Sequence, residues 1–139
     1  MIYICLRGEV INLNIKSKKR QCTFYEISDG KTFDNYYDAE YYEKMKLFKK
    51  YEKEYDERVM PIVEGNIFKI KNFMRYELLK FYYDEVQSYI WNTDIDFRKI
   101  KYPCYIIFGN NGNIYLINNT LGEELYKWYD TNKEKFEKV

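Results

Sequence analysis

The sequence contains no histidine. That absence removes the commonest general base, the commonest metal ligand and the usual activator of serine or cysteine nucleophiles. Carboxylate, lysine or tyrosine chemistry stays open, so catalysis is disfavoured and not excluded. Cysteine is sparse: Cys5, Cys22 and Cys104 are an odd number with no C-x-x-C pair, which argues against a disulfide framework or a zinc ribbon. No run approaches the 18 or more uninterrupted apolar residues of a membrane span. The short apolar stretch after Met1 is broken at Arg7 and Glu9, and the charged n-region and long h-region of a signal peptide are missing. A cytoplasmic location with no membrane contact is therefore expected. Walker, Rossmann and nucleophile-elbow signatures are also absent, so no cofactor is expected. Nor does one sign of charge dominate. Lys plus Arg number 23 against 22 Asp plus Glu, whereas a nucleic-acid binder shows a basic excess and a DNA mimic an acidic one.

What is present is aromatic. Of the 139 residues 20% are aromatic, and 17 of them are Tyr. An AT-rich coding composition accounts for much of this bias. Tyr also has an apolar ring with a polar tip, which suits half-buried helix faces, interfaces and ligand walls. The length predicts one domain spanning 1–139, large enough to bury a core without a staple. No internal repeat, low-complexity tract or linker divides it.

The periodicity predicts an α+β fold, with a small antiparallel sheet, about three helices, and a C-terminal β-hairpin followed by a helix. Ile2 to Leu6, Val10 to Ile15 and Cys22 to Ile27 are β-prone runs. Ser17-Lys18-Lys19-Arg20 reads as a solvated loop, with a phosphate-binding patch as the sharper alternative. Asp29-Gly30 predicts a two-residue hairpin turn. Asp34 or Asn35 is placed to cap a helix running to about Arg58, with Tyr41, Met45, Phe48, Tyr51 and Tyr55 as its apolar stripe. Pro61 ends that element. Ile67 to Ile70 reads as a short strand or a lead-in, and Phe73 to Trp91 as a second helix. Its apolar face is wide enough to suggest contact on two sides, by the sheet and by a second subunit, so a homo-oligomer is expected. The clearest signal is a hairpin, Cys104 to Phe108 and Ile114 to Asn118, around Gly109-Asn110-Asn111-Gly112-Asn113. Thr120 with Glu123 reads as a capping box opening the last helix, whose apolar face is Leu121, Leu125, Trp128 and Phe136.

Candidate site residues are few. Gly109-Asn110-Asn111-Gly112 lacks the Lys-Ser/Thr of a phosphate loop and reads as a turn. Asp94-Ile95-Asp96 would need a third carboxylate to hold a metal and reads as a solvated loop. Five arginines occur, and Arg suits bidentate recognition of phosphate. Arg75 opens the second helix. Arg98 precedes the hairpin, near Tyr102 and Trp91. An Arg on the phosphates of a nucleotide and a Tyr or Phe on its base is the simplest ligand site available. Surface ion pairs are the plainer reading of each Arg.

Tyr25-Glu26-Ile27-Ser28-Asp29-Gly30-Lys31-Thr32-Phe33, with Ala39 and Tyr42-Glu43, resembles a strand–turn–helix opening found in small phage and prophage proteins. Among these it resembles the anti-Thoeris sponges, which sequester a cyclic ADP-ribose-type signal without degrading it. The resemblance covers about 20 residues, and its motif is mainly structural. It implies a non-enzymatic, oligomeric anti-defence protein acting in the host bacterial cytoplasm, with ligand held near subunit contacts. It also implies a pocket using an aromatic and an Asn from a C-terminal hairpin, matched here by Phe108 and Asn118. The alternative is a phage inhibitor that binds a bacterial defence protein directly, a nuclease or an effector such as a CRISPR effector. A third possibility is an enzyme on nucleotides that uses carboxylates or Tyr. Phe108 packed in the core and Asn118 leading into the helix is the structural alternative for that pair.

Overall fold

A computed structural model describes residues 16–17, 24–60 and 64–137. The strands expected within 2–15, residues 18–20 of the basic cluster and Pro61 lie outside the described residues, as does the side chain of Phe136. The fold is α+β, as the periodicity predicts. The chain divides into two compact units, Met1–Lys50 and Tyr51–Val139. No glycine or proline marks their boundary, which falls at the end of a helix.

In the first unit, β1 (Lys16–Ser17), β2 (Tyr25–Glu26) and β3 (Thr32–Phe33) form a small antiparallel sheet in that order. The connection between β2 and β3 differs from the expected two-residue turn. Ile27 N–H donates to Lys31 C=O, Gly30 N–H donates to Ile27 C=O, both at 3.0 Å, and Gly30 has φ 88°. This is a three-residue loop, a type I turn closed by a left-handed glycine. The helix α1 (Tyr36–Tyr51) follows, and the Asn35 carboxamide caps it by accepting from Tyr37 N–H at 2.6 Å and Asp38 N–H at 3.3 Å. Its inward residues in this unit are Ala39, Glu43 and Phe48, whereas Tyr41 and Met45 of the expected stripe are half-buried. Ile27 and Ala39 pack with Tyr25, Phe33, Tyr36 and Tyr42. The buried Glu43 carboxylate accepts from the Ser28 hydroxyl at 2.6 Å and pairs with Lys46 at 3.6 Å, so its charge is compensated where it is desolvated.

The expected helix to Arg58 stops short. A 3-10 turn (Glu52–Tyr55) tightens the chain, Asp56 turns it through φ 48°, and β4 (Arg58–Met60) is extended. Two contacts overrule the periodicity. Tyr55 is buried and its hydroxyl donates to Arg75 C=O at 2.6 Å, and β4 pairs along its length with β5 (Gly65–Ile70). In the second unit β4, β5, β6 (Cys104–Gly109) and β7 (Ile114–Ile117) form an antiparallel sheet in that order. The predicted C-terminal hairpin is β6–β7, and Ile67 to Ile70 lies in the interior strand β5.

Both faces of this sheet are covered, which is why Cys104-Tyr105-Ile106-Ile107 is buried at every position instead of alternating. On one face, α3 (Asn119–Glu137) packs Tyr126, Leu125, Trp128 and Tyr129 against Met60, Ile67, Tyr105 and Ile107. Gly122 allows the approach, since a Cβ there would stand 2.3 Å from the Tyr105 ring. The cap of α3 is Asn118 and not Thr120: the Asn118 carboxamide accepts Leu121 N–H at 2.7 Å. Glu123, freed from a capping box, accepts instead from the Tyr105 hydroxyl.

The other face meets α2 (Phe73–Phe81) and the chain beyond it. The expected helix to Trp91 ends far earlier. A π-helical turn (Tyr82–Val86) inserts an extra residue, with Gln87 N–H on Tyr82 C=O at 2.9 Å, and Ser88 then turns through φ 57°. From there the chain runs back over the sheet. Ile90, read as part of a helical stripe, is 70% exposed.

Candidate ligand cleft on the aromatic face

The residues Phe68, Phe108 and Asn66 share one face of the sheet, because Phe68 pairs with Ile106 and Asn66 with Phe108 in the β5–β6 register. Tyr83, from the π-helical turn, lies over them at 5.8 Å from the Phe68 ring and 5.1 Å, stacked, from the Phe108 ring. Trp91 stacks on Phe108 from the returning chain at 5.3 Å, and its indole N–H donates to the Tyr76 hydroxyl at 3.1 Å. Tyr76 in turn stacks on Phe97 at 4.0 Å. The result is a continuous aromatic layer in which Tyr76, Tyr83, Trp91 and Phe108 each contact at least two other rings.

Phe108 marks the end of this layer, and beside it opens a cleft of about 320 Å³ lined by Ser88, Tyr89, Ile90, Phe108, Asn110, Asn111 and Gly112. One wall is the strained exit from the π-helical turn. The other is the β6–β7 turn, where Gly109 N–H donates to Asn113 C=O and Gly112 N–H to Gly109 C=O, both at 3.0 Å. Gly112 has φ 83°, and a Cβ there would stand 2.6 Å from Ile90 C=O, so the two walls touch at the one residue without a side chain. π-turns and left-handed non-glycine residues together concentrate at functional positions.

The chemistry of the lining is neutral. Asn111 uses its side-chain oxygen on Asn113 N–H at 3.1 Å. The Ser88 and Tyr89 hydroxyls and the Asn110 carboxamide make no side-chain hydrogen bond among the described residues. Beneath the floor, burial raises the Tyr83 phenol well above its ordinary pKa, and the Glu57 carboxylate 3.4 Å from its hydroxyl adds to the rise. The cleft therefore offers an aromatic plane for stacking and several amide and hydroxyl groups for hydrogen bonding.

Of the five residues expected to bind ligand, Phe108 lines this cleft. Asn118 lies at the other end of the β6–β7 ladder, beyond the Tyr105–Ile117 pair, with its carboxamide on α3. Arg75 is buried, paired with Glu54 at 2.8 Å and set over the Tyr51 ring at 3.3 Å, and its hydrogen bond lowers the Glu54 pKa. Arg98 forks onto Asp96 at 3.1 and 3.2 Å, a pairing that lowers the Asp96 pKa. The Tyr102 hydroxyl donates to Phe97 C=O at 2.5 Å. Sequence reasoning did not identify Ser88, Ile90 and Asn110 as site residues. The turn motif around Asn110 was legible, but its proximity to residue 90 was not.

Elsewhere, burial pushes the Cys104 thiol up to about 12, far from a reactive thiolate. Among the described residues no cluster of three or more His, Cys, Asp or Glu could hold a metal ion, and no helix is long and apolar enough to cross a membrane. Compared with protein-family models, curated proteins and solved structures, the chain matches none of them.

Proposed function

We propose that this chain is a non-enzymatic phage anti-defence protein of the host cytoplasm, which sequesters a small cyclic nucleotide by seating its base in the Phe108 cleft. The observation that carries the reading is the pre-stacked Phe108 ring at the floor, faced by unbonded amide and hydroxyl groups at the rim. A ring already held against Tyr83 and Trp91, which contact each other, accepts a base without paying to order itself. The Asn110 amide both donates and accepts, which matches the edge of any nucleobase. The lining side chains carry no formal charge, so recognition falls on the base and ribose while the phosphates stay toward solvent. Neutral amides and the two hydroxyls of Ser88 and Tyr89 also favour holding a ligand over transforming it. The phage setting and the cyclic signal rest on the resemblance at Tyr25 to Phe33.

The protein-binding alternative draws support from Tyr89 and Ile90, which are 54% and 70% exposed beside the cleft. Such residues suit direct docking on a defence nuclease or effector. Incubation with a panel of cyclic nucleotides, desalting, heat denaturation and chromatography separates these readings. Intact nucleotide released in stoichiometric amount supports sequestration, and altered product would establish an enzyme. No retained nucleotide, together with a stoichiometric host protein in a pull-down, would move the function to protein inhibition. Phe108→Ala should weaken nucleotide binding by about 1–3 kcal/mol.

A further inference from the structure

The two edges of the larger sheet differ in character. Asp56 and Glu57 precede β4, Arg58 begins it and Pro61 follows it in sequence. Charges and proline are what keep an edge from pairing further. β7, Ile114-Tyr115-Leu116-Ile117, has none of them. Its backbone directions follow from the ladder. Gly109 and Asn113 form a hydrogen-bonded pair, so by antiparallel alternation Ile114 and Leu116 point their N–H and C=O groups away from β6. Ile114 N–H does reach outward, to Asn92 C=O at 3.0 Å. Asn92 bridges Asn113 alone, and residues 92–95 then part from β7 around a cleft lined by Thr93, Asp94 and Tyr115. The Leu116 end of the edge is left uncovered among the described residues. Tyr115 and Leu116 are 48% and 38% exposed there.

We propose that β7 pairs antiparallel with β7 of a second copy of this chain, about a two-fold axis at Leu116. With the Ile114 N–H on Asn92, the open outward pair is the N–H and C=O of Leu116, which fit an extended strand, and the uncharged β7 is its own complement. In this register Leu116 exchanges both main-chain bonds with Leu116 of the partner subunit, and Tyr115 faces Ile117 of the partner subunit. No like charges meet, because the strand has none. An isologous contact of this kind closes at two copies and builds no fibre. The pairing is independent of what the Phe108 cleft holds.

Sedimentation equilibrium of the full chain at tens of micromolar should give twice the 17.2 kDa chain mass. Leu116→Pro, tolerable where the N–H faces outward on an edge, and Leu116→Lys should each return the monomer with the melting temperature retained. A wild-type monomer throughout the micromolar range overturns the proposal, as does a dimer that folded L116K leaves intact. Cross-linking checks the register. Cα atoms of a hydrogen-bonded antiparallel pair lie about 5.5 Å apart, within disulfide range. In a Cys5→Ser, Cys22→Ser background, Leu116→Cys should therefore give a covalent dimer on mild oxidation, and Val59→Cys on β4 should not. A covalent dimer from V59C and none from L116C would place the contact on the other edge and refute this one.

Discussion

The β2–β3 and β6–β7 loops share one backbone design and have opposite surroundings. Ser28-Asp29-Gly30 and Asn110-Asn111-Gly112 each make a type I turn closed by a glycine at positive φ. In each, the middle side chain accepts the N–H two residues on, Asp29 from Lys31 at 3.0 Å and Asn111 from Asn113 at 3.1 Å. A Cβ on Gly30 would meet nothing within 4 Å, whereas one on Gly112 would strike Ile90. The same backbone design thus yields a solvated turn in one unit and a wall of a candidate ligand cleft in the other. The difference is made by a segment some twenty residues away in sequence, brought back by the π-helical turn.

Substitutions can break the comparison at graded strength. Gly112→Ala should cost the most, about 2–4 kcal/mol, because the left-handed strain adds to a clash with the Ile90 backbone. Thermal unfolding measures it, and ligand binding at the cleft should fall with it. A loss no larger than that of G30A would mean the walls do not touch. Alkaline pH is the next lever. Tyr83 keeps its proton in the fold, whereas unfolded Tyr ionises near pH 10. The unfolded chain then holds fewer protons than the folded one, so this stability is present below about pH 10 and drains away as pH rises further. Burial raises Tyr55, Tyr102, Tyr105 and Tyr126 as well, so Tyr83→Phe should make the fall in stability above pH 10 shallower without abolishing it, and an unchanged slope would remove Tyr83 as a contributor.

Gly30→Ala should cost only backbone strain, about 1 kcal/mol, readable as a small fall in melting temperature. Asp29→Ala and Asn111→Ala each remove one turn hydrogen bond, about 0.5–1.5 kcal/mol. The smallest effect belongs to Asn110→Ala, within about 0.5 kcal/mol in stability for an exposed side chain. Isothermal titration with the nucleotide released from the wild type should show it binding at least tenfold more weakly. An unchanged affinity would take Asn110 out of the site.

Local chemistry was the part most legible from residues alone. The Asn35 cap, the hairpin around Gly112 and the α+β class follow from turn residues, caps and periodicity, which act within a few positions. Errors arose where a distant partner overrode a periodic pattern. The stripe through Tyr51 and Tyr55 continues past the helix because the Tyr55 hydroxyl seeks Arg75 C=O, and Arg58 turns extended because Gly65 to Ile67 offers a ladder. Leu79, Tyr83, Val86 and Ile90 share a helical spacing, yet the π-turn sends Ile90 to the surface. Phe108 is identifiable as a hairpin aromatic, whereas Asn118 follows the structural alternative, leading into α3 and capping it in place of Thr120.

By itself the sequence determined the cap at the start of α1, the hairpin around Gly112 and that the strand Cys104 to Phe108 is apolar throughout. These are consequences of backbone preferences and side-chain character confined to neighbouring residues. Only tertiary structure decided that Arg75 is sealed against Tyr51 and Glu54, that Tyr83 and Trp91 brace Phe108, and that Ile90 and Gly112 close a cleft. Those contacts join residues about twenty or more apart, and their energies depend on burial and close packing that no local pattern encodes.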